Sequence, residues 1–165
     1  KRSGMKISLR QAPRAGDRAP DGHCVRLPSG STTSLFQEFR GTASHLFVFD
    51  GLNHTEANYA LLTQTARRVK EILGDEVKVS LIVSQDSKRV SNDWDGSLLL
   101  DPEHVLHTRY GAASPSLYFV RPDGYIGFYC QPIQEKPLLE YLERWFVCSK
   151  EEVSMGETAR AYRRR

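Results

Sequence analysis

The groups able to do chemistry in this chain are few and widely spread. Three cysteines, Cys24, Cys130 and Cys148, stand at unrelated spacings that suit neither a disulfide framework nor a zinc knuckle. They read as small buried hydrophobes in a reducing compartment. The four residues Gly51-Leu52-Asn53-His54 fall between an apolar run, Leu46 to Asp50, and a helical stretch over 55–73. A strand-to-helix turn is where a helix N-terminus lowers a thiol's pKa, and this one holds no thiol. Asparagine and leucine cannot do a thiolate's work. His54 beside Asp50 offers an acid–base pair, but no nucleophile accompanies it. His104 and His107 are spaced i, i+3 with Asp101 and Glu103 close by, which is ligand spacing without a ligand cluster. Exposed helical histidines are the expectation there, and no metal site is assigned. Asp93-Trp94-Asp95 puts a flat ring between two carboxylates, but Ser91-Asn92 before it and Gly96 after it mark turn chemistry.

The elements that must carry these groups come from the periodicity. The chain has 165 residues, of which 39% are hydrophobic, enough for one domain with a core. Val25-Arg26-Leu27 reads as a short strand closed by Pro28-Ser29-Gly30, and Thr33 or Ser34 caps a short helix over 35–39 that stops at Gly41. The run from His45 to Phe49 is too continuously apolar for a surface strand, which predicts a position inside the sheet. Asn53 followed by Glu56 resembles a capping box, and Leu62, Ala66, Val69 and Leu73 then share one helical face. Val77 to Val83 is the next strand, parallel to the previous one because a helix intervenes. Short strands are expected over 97–100 and 116–120, with a short helix over 102–110 between them. Arg121-Pro122-Asp123-Gly124 makes a tight turn into a strand over 125–129. Pro137 opens a last helix on which Leu138, Leu142, Trp145 and Phe146 share a face.

The ends differ from the middle. Residues 1–19 mix basic, Gly, Pro and Ser residues like a linker or arm, 20–147 form the folded domain, and 148–165 are a polar basic tail ending in Arg163-Arg164-Arg165. The tail reads as solvated. With 23 basic against 20 acidic residues the net charge is +3, too little to draw the chain to nucleic acid or membrane. No apolar stretch reaches the roughly 20 residues of a membrane span, and 1–10 lacks a signal peptide's apolar centre. A cytoplasmic chain is the expectation.

Hairpin, strand, helix, strand, helix, antiparallel hairpin and final helix is the order of the thioredoxin fold with an N-terminal hairpin extension: a central mixed sheet flanked by helices. Pro115, opening a strand after a helix, stands where that fold keeps a cis proline, so the Ser114–Pro115 bond is expected cis.

Several segments resemble one family. Gly16-Asp17-Arg18-Ala19-Pro20-Asp21, Phe39-Arg40-Gly41, Arg109-Tyr110-Gly111 and above all Leu117 to Phe128, with its Arg121-Pro122-Asp123-Gly124-Tyr125, are similar to the thioredoxin-like C-terminal domain of flavin-dependent aromatic hydroxylases. The resemblance covers about 13–146. It implies a parent monooxygenase in which FAD and NAD(P)H serve a catalytic domain absent from this chain. No G-x-G-x-x-G follows a strand here, and Pro20 blocks the helix that Gly16-Asp17 would have to open, so no flavin is expected on this chain. The resemblance further implies packing against the FAD domain of the same polypeptide and, in some members, pairing of two copies. Leu52, Tyr59, Trp94 and Tyr129 are the apolar candidates for such a surface. Peroxiredoxins share the A-P-D opening, but they need a cysteine near Asn53–His54. The expected function is a non-catalytic accessory domain. The alternative is a stand-alone peroxiredoxin-like or thioredoxin-like oxidoreductase using Cys130.

Overall fold

The computed structural model describes residues 12–52, 55–84, 94 and 96–147. The chain divides into two compact units, Lys1–Ile133 and Gln134–Arg165. In the first, seven strands form one sheet in the order β2-β1-β5-β4-β3-β6-β7. β1 (His23–Leu27) and β2 (Ser31–Ser34) make the expected lead-in hairpin, and β1 also pairs antiparallel with β5 (Ser97–Asp101). β3 (Ser44–Phe49) and β4 (Val77–Ser84) are parallel neighbours in the interior of the sheet, and every residue of β3 is buried. A strand covered on both faces has no use for alternation, which is why its sequence is an unbroken apolar run.

The crossover between them is α2 (Glu56–Leu73). Its buried residues Leu62, Ala66, Val69 and Leu73 recur at helical spacing, and each large one removes apolar surface worth about 1.5–3 kcal/mol. The cap differs from the sequence expectation. Thr55, not Asn53, accepts from the Asn58 backbone N–H at 3.3 Å, because the threonine is already extended when the helix begins. Asn53 and His54 lie outside the described residues. α1 (Leu35–Glu38) is short and carries a complete capping box between Ser34 and Gln37. α3 (Val105–Arg109) is shorter than expected: residues 102–104 form a turn, and His104 precedes the helix at φ 56° instead of sitting on its face.

β6 (Ser116–Val120) pairs antiparallel with β3 and with β7 (Ile126–Cys130). Their connecting turn is the one the sequence predicts. Gly124, at φ 82°, donates its N–H to the Arg121 carbonyl, and Asp123 accepts from the Tyr125 backbone N–H at 3.1 Å. One core cluster gathers Phe47, Phe49, Ile82, Tyr118 and Val120 from one face of the sheet with Leu35, Leu106 and Tyr110.

Residues 12–19, expected to be a linker, are stitched to this hairpin. Gly16 N–H donates to the Ile126 carbonyl at 2.8 Å, Ile126 N–H returns a bond to Asp17, and Ala19 N–H donates to Gly124. Arg18 stands opposite Tyr125 as one more bridge of the sheet, and Ala19 is buried in the core. The segment has no apolar period because backbone bonds and the single buried Ala19 do most of the holding.

In the second unit, α4 (Glu135–Leu142) buries Leu138 and Leu142, and Pro137 lies in its first turn, where no intrahelical N–H is lost. Glu143–Val147 continues with π-helical hydrogen bonding, which shifts the phase of the face, and Trp145 is exposed, not on the buried stripe with Leu138 and Leu142. The tail 148–165 and Cys148 lie outside the described residues. No helix among the described residues is long and apolar enough to cross a membrane.

Candidate functional site

β3 ends at Phe49, and the next residue, Asp50, turns its side chain into the interior instead of toward solvent. Its N–H still donates to the Ile82 carbonyl, so the backbone remains attached to the sheet while the carboxylate faces what lies beneath. There it meets His107 of α3, whose Nε2 lies 3.0 Å from Asp50 Oδ1. The other ring nitrogen, Nδ1, lies 2.8 Å from Asp101 Oδ2 at the end of β5. Asp101 also accepts from the His107 backbone N–H at 2.9 Å, tying the carboxylate to the start of α3. Asp50 accepts two more bonds, from the Ser84 N–H at 3.1 Å and from the Tyr59 hydroxyl of α2 at 3.0 Å. Side-chain exposure is 0% for Asp50 and His107 and 1% for Asp101.

Carboxylates have only acceptors, so an imidazole satisfying one at each nitrogen must donate twice. A neutral ring donates once. The arrangement therefore holds one proton more than two carboxylates and a neutral imidazole would, that is, an imidazolium between two anions. Burial opposes that charge, but the bonds to Asp101 and Asp50 hold the His107 pKa above its ordinary 6.5. The same bonds, working against burial, hold the Asp101 carboxyl below its ordinary range.

Directly after Asp50 comes the thiol-less turn. Gly51 has φ 77° and sits so close to the chain before β6 that a Cβ there would stand 2.6 Å from the Ser114 carbonyl carbon and 2.7 Å from the Pro115 nitrogen. Only glycine tolerates both conditions. Leu52 N–H donates to the Ala113 carbonyl at 3.0 Å, closing the turn onto the same segment. The Ser114–Pro115 bond is trans, against expectation. The cis bonds among the described residues precede Pro28 and Pro132. The trans form is the ordinary one for an X–Pro bond, and Gly51, with no side chain, leaves room for this peptide against the turn.

The sequence-level site residues thus sort differently from expected. Asp50 pairs with His107, 57 positions away, and His54 lies outside the described residues. His107 is spent on carboxylates, and His104 approaches it only ring to ring, at 6.2 Å. Among the described residues, no three His, Cys, Asp or Glu side chains gather in a metal-binding arrangement. Cys24 on β1 is 1% exposed, and burial pushes its thiol up to about 12, so it stays protonated. Cys130 stands opposite Leu117, at the end of β7 nearest the turn's side of the sheet. Trp94 donates its indole N–H to the Ser97 carbonyl at 3.3 Å, while Asp93 and Asp95 are outside the described residues. Tyr129 is partly exposed and stacks on Tyr118 with ring centroids 5.7 Å apart.

Arg121, Pro122, Asp123, Gly124 and Tyr125 form the hairpin turn, and their backbone partners are Gly16 to Ala19. The two segments that carry the resemblance are therefore one contact, not two. Gly16-Asp17 is used up in it: the pair forms a turn followed by Pro20, not the opening of a helix.

No protein-family model matches the chain, and no curated protein matches it in sequence. Solved structures do. A putative thiol:disulfide interchange protein DsbE from Chlorobium tepidum superposes with a TM-score of 0.62 at 12% identity, over 79% of this chain and 96% of that one. A thiol peroxidase from Chromobacterium violaceum gives 0.61 at 16%, over 81% and 88%. Aklavinone-11 hydroxylase, in a ternary complex with FAD and aklavinone, gives 0.53 at 24%, over 77% of this chain and 20% of that one. The fold is thioredoxin-like, a mixed sheet with flanking helices. The first two of these proteins are, by their names, thiol enzymes.

Proposed function

We propose that this chain is a non-catalytic accessory domain, of the thioredoxin-like kind carried at the C-terminus of FAD-dependent aromatic monooxygenases, and that it works by docking. The observation that carries the reading is the turn after β3: the fold of a thiol enzyme is intact, and the residues from Gly51 to His54 contain no sulfur. What occupies the interior beneath the turn is an ion cluster with no exposed reactive group. The similarity to one fifth of aklavinone-11 hydroxylase supports the choice of parent, as does the contact between the Gly16–Asp21 and Arg121–Tyr125 segments. FAD and NAD(P)H belong to the parent's other domains. The partner is the FAD domain of the same polypeptide, with a second copy of the chain as a further partner, in the cytoplasm.

The test has two arms. The purified chain should neither reduce insulin disulfides nor consume peroxide, and it should bind the separately expressed FAD portion of its parent enzyme. A second reading rests on Cys130, which shares its end of the sheet with the thiol-less turn. Under that reading the chain is a stand-alone oxidoreductase. Thiol turnover lost in Cys130→Ser would establish it and overturn the accessory assignment.

A further inference from the structure

Beside α2 and β4 is a cavity of about 250 Å³, lined by the buried Ala66 and Val79, by Arg67, Lys70 and Glu71 of α2, and by the indole of Trp94 ahead of β5. We propose that this cavity binds a small planar anion, one or two fused aromatic rings carrying a carboxylate, with the ring lying against Trp94 and the charge met by Arg67 and Lys70. Such a site goes beyond the docking role and is independent of it.

The charge preference comes from α2. Arg67 and Lys70 are spaced i, i+3, which places both on one side of the helix about a turn apart. Neither side chain has a hydrogen-bond or ion-pair partner among the described residues, and the acid of the lining, Glu71, has its Oε2 3.6 Å from Arg68 Nη1 instead. Like charges so close repel, and an anion held between them removes the repulsion. A guanidinium takes a carboxylate through two parallel N–H donors, and an ammonium adds a point charge beside it. Ala66 and Val79, 6% and 5% exposed, give the rest of the ligand an apolar floor.

The preference for a flat ligand comes from Trp94, whose ring is seated before anything binds. Its indole N–H donates to the Ser97 carbonyl at 3.3 Å. A Cβ at Gly96 would stand 2.6 Å from the Val79 carbonyl oxygen and 3.0 Å from the indole nitrogen, so it is the bare backbone at 96 that lets the indole close against β4. With its one donor already engaged, the indole has only its π surface left to offer, and that surface favours an offset-stacked or edge-on aromatic partner. An apolar cavity of about 150 Å³ holds a benzene ring, so the space here suits one ring or two fused rings.

Nuclear magnetic resonance on the whole chain tests this with three probes: naphthoate, the uncharged naphthylmethanol, and inorganic phosphate. The chain has 2 tryptophans, so its indole N–H signals are assigned with a single Trp145→Phe variant. The expected result is a saturable shift of the Trp94 indole and the Val79 amide with naphthoate while the Trp145 indole stays still. Naphthylmethanol, a ring without the charge, and phosphate, a charge without the ring, should each bind at least about tenfold more weakly. Arg67→Gln combined with Lys70→Gln, at positions outside the core, should weaken naphthoate by about tenfold or more and remove most of its salt dependence. Trp94→Leu should weaken it as well, read from the Val79 amide. A Trp94 signal that ignores naphthoate, equal binding of either other probe, or a double variant that binds like the parent would each overturn the site. The comparison of probes on the unaltered chain decides even where a variant does not fold. Failure to bind a FAD domain would count against the accessory reading only.

Discussion

His45 and His107 are both buried in the same unit, yet their environments push them in opposite directions. His107 lies between two anions. His45 is packed edge-on to Phe39 with ring centroids 5.2 Å apart, neither of its nitrogens has a hydrogen-bond partner among the described residues, and burial with Lys78 nearby lowers its pKa to about 4. Below about 6.5 the unfolded chain takes up a proton at His45 that the folded chain refuses until about 4, so stability falls as pH drops through that window. For His107 the folded chain keeps a proton that the unfolded chain releases near 6.5, so the stabilisation is complete below that pH and disappears as pH rises through the folded value. Stability should therefore peak near pH 6.5. Urea midpoints measured across pH 4 to 9 check this, and His45→Phe should flatten the acid side while leaving the alkaline side alone. A midpoint that rises steadily through neutrality would contradict the pairing of His107 with its two carboxylates.

The turn between β3 and α2 is positioned by contact, not by covalent chemistry. Gly51 combines a left-handed backbone with a Cβ direction blocked by the Ser114–Pro115 peptide. Gly51→Ala should cost at least the 1–3 kcal/mol of a residue held in a disfavoured backbone region, about that much lost from the unfolding free energy, and should push the turn away from Pro115. A thermal melt and the Leu52 amide shift measure the two effects, and an alanine variant matching the parent in both would show that the close approach is not real. Much of this architecture was readable from local pattern. The β3 run, the α2 face and the Arg121–Gly124 turn each announce themselves within a few residues, because burial on two sides, helical spacing and a φ above zero are local demands. The α2 cap is not fixed by sequence because Asn53 and Thr55 are both good cap residues; it is the extended Thr55 whose side chain accepts from the Asn58 N–H. The helix expected over 102–110 shrank because Asp101 and the left-handed His104 hold a turn there that has no periodicity to read.

The molecule's least readable features are those joining distant parts of the chain. The pairing of Asp50 with His107 spans 57 residues, and nothing in either neighbourhood signals the other; both looked for nearer partners, His54 and a metal. The stitching of residues 14–19 to the β6–β7 hairpin was equally hidden, although the co-occurrence of the Gly16–Asp21 and Arg121–Tyr125 segments was its one available signal. Removing residues 1–19 strips three backbone bonds and a buried alanine from the hairpin's end. Net backbone bonds contribute about 0.5–1.5 kcal/mol each, so the truncated chain should unfold at a clearly lower urea concentration with its Ile126 amide exposed to exchange. If 1–19 were only a tether, neither quantity would move.

The anions seated beneath the turn also bear on any attempt to make an enzyme of this scaffold. A sulfur introduced by Leu52→Cys would stand two positions along the chain from Asp50, whose cluster holds two carboxylates against a single imidazolium. Negative charge close by disfavours a thiolate, so the new side chain would resist ionising where a working redox centre needs it ionised. Placing a cysteine in the turn would not by itself make a thiol enzyme of this scaffold; the charge near it would have to be neutralised as well.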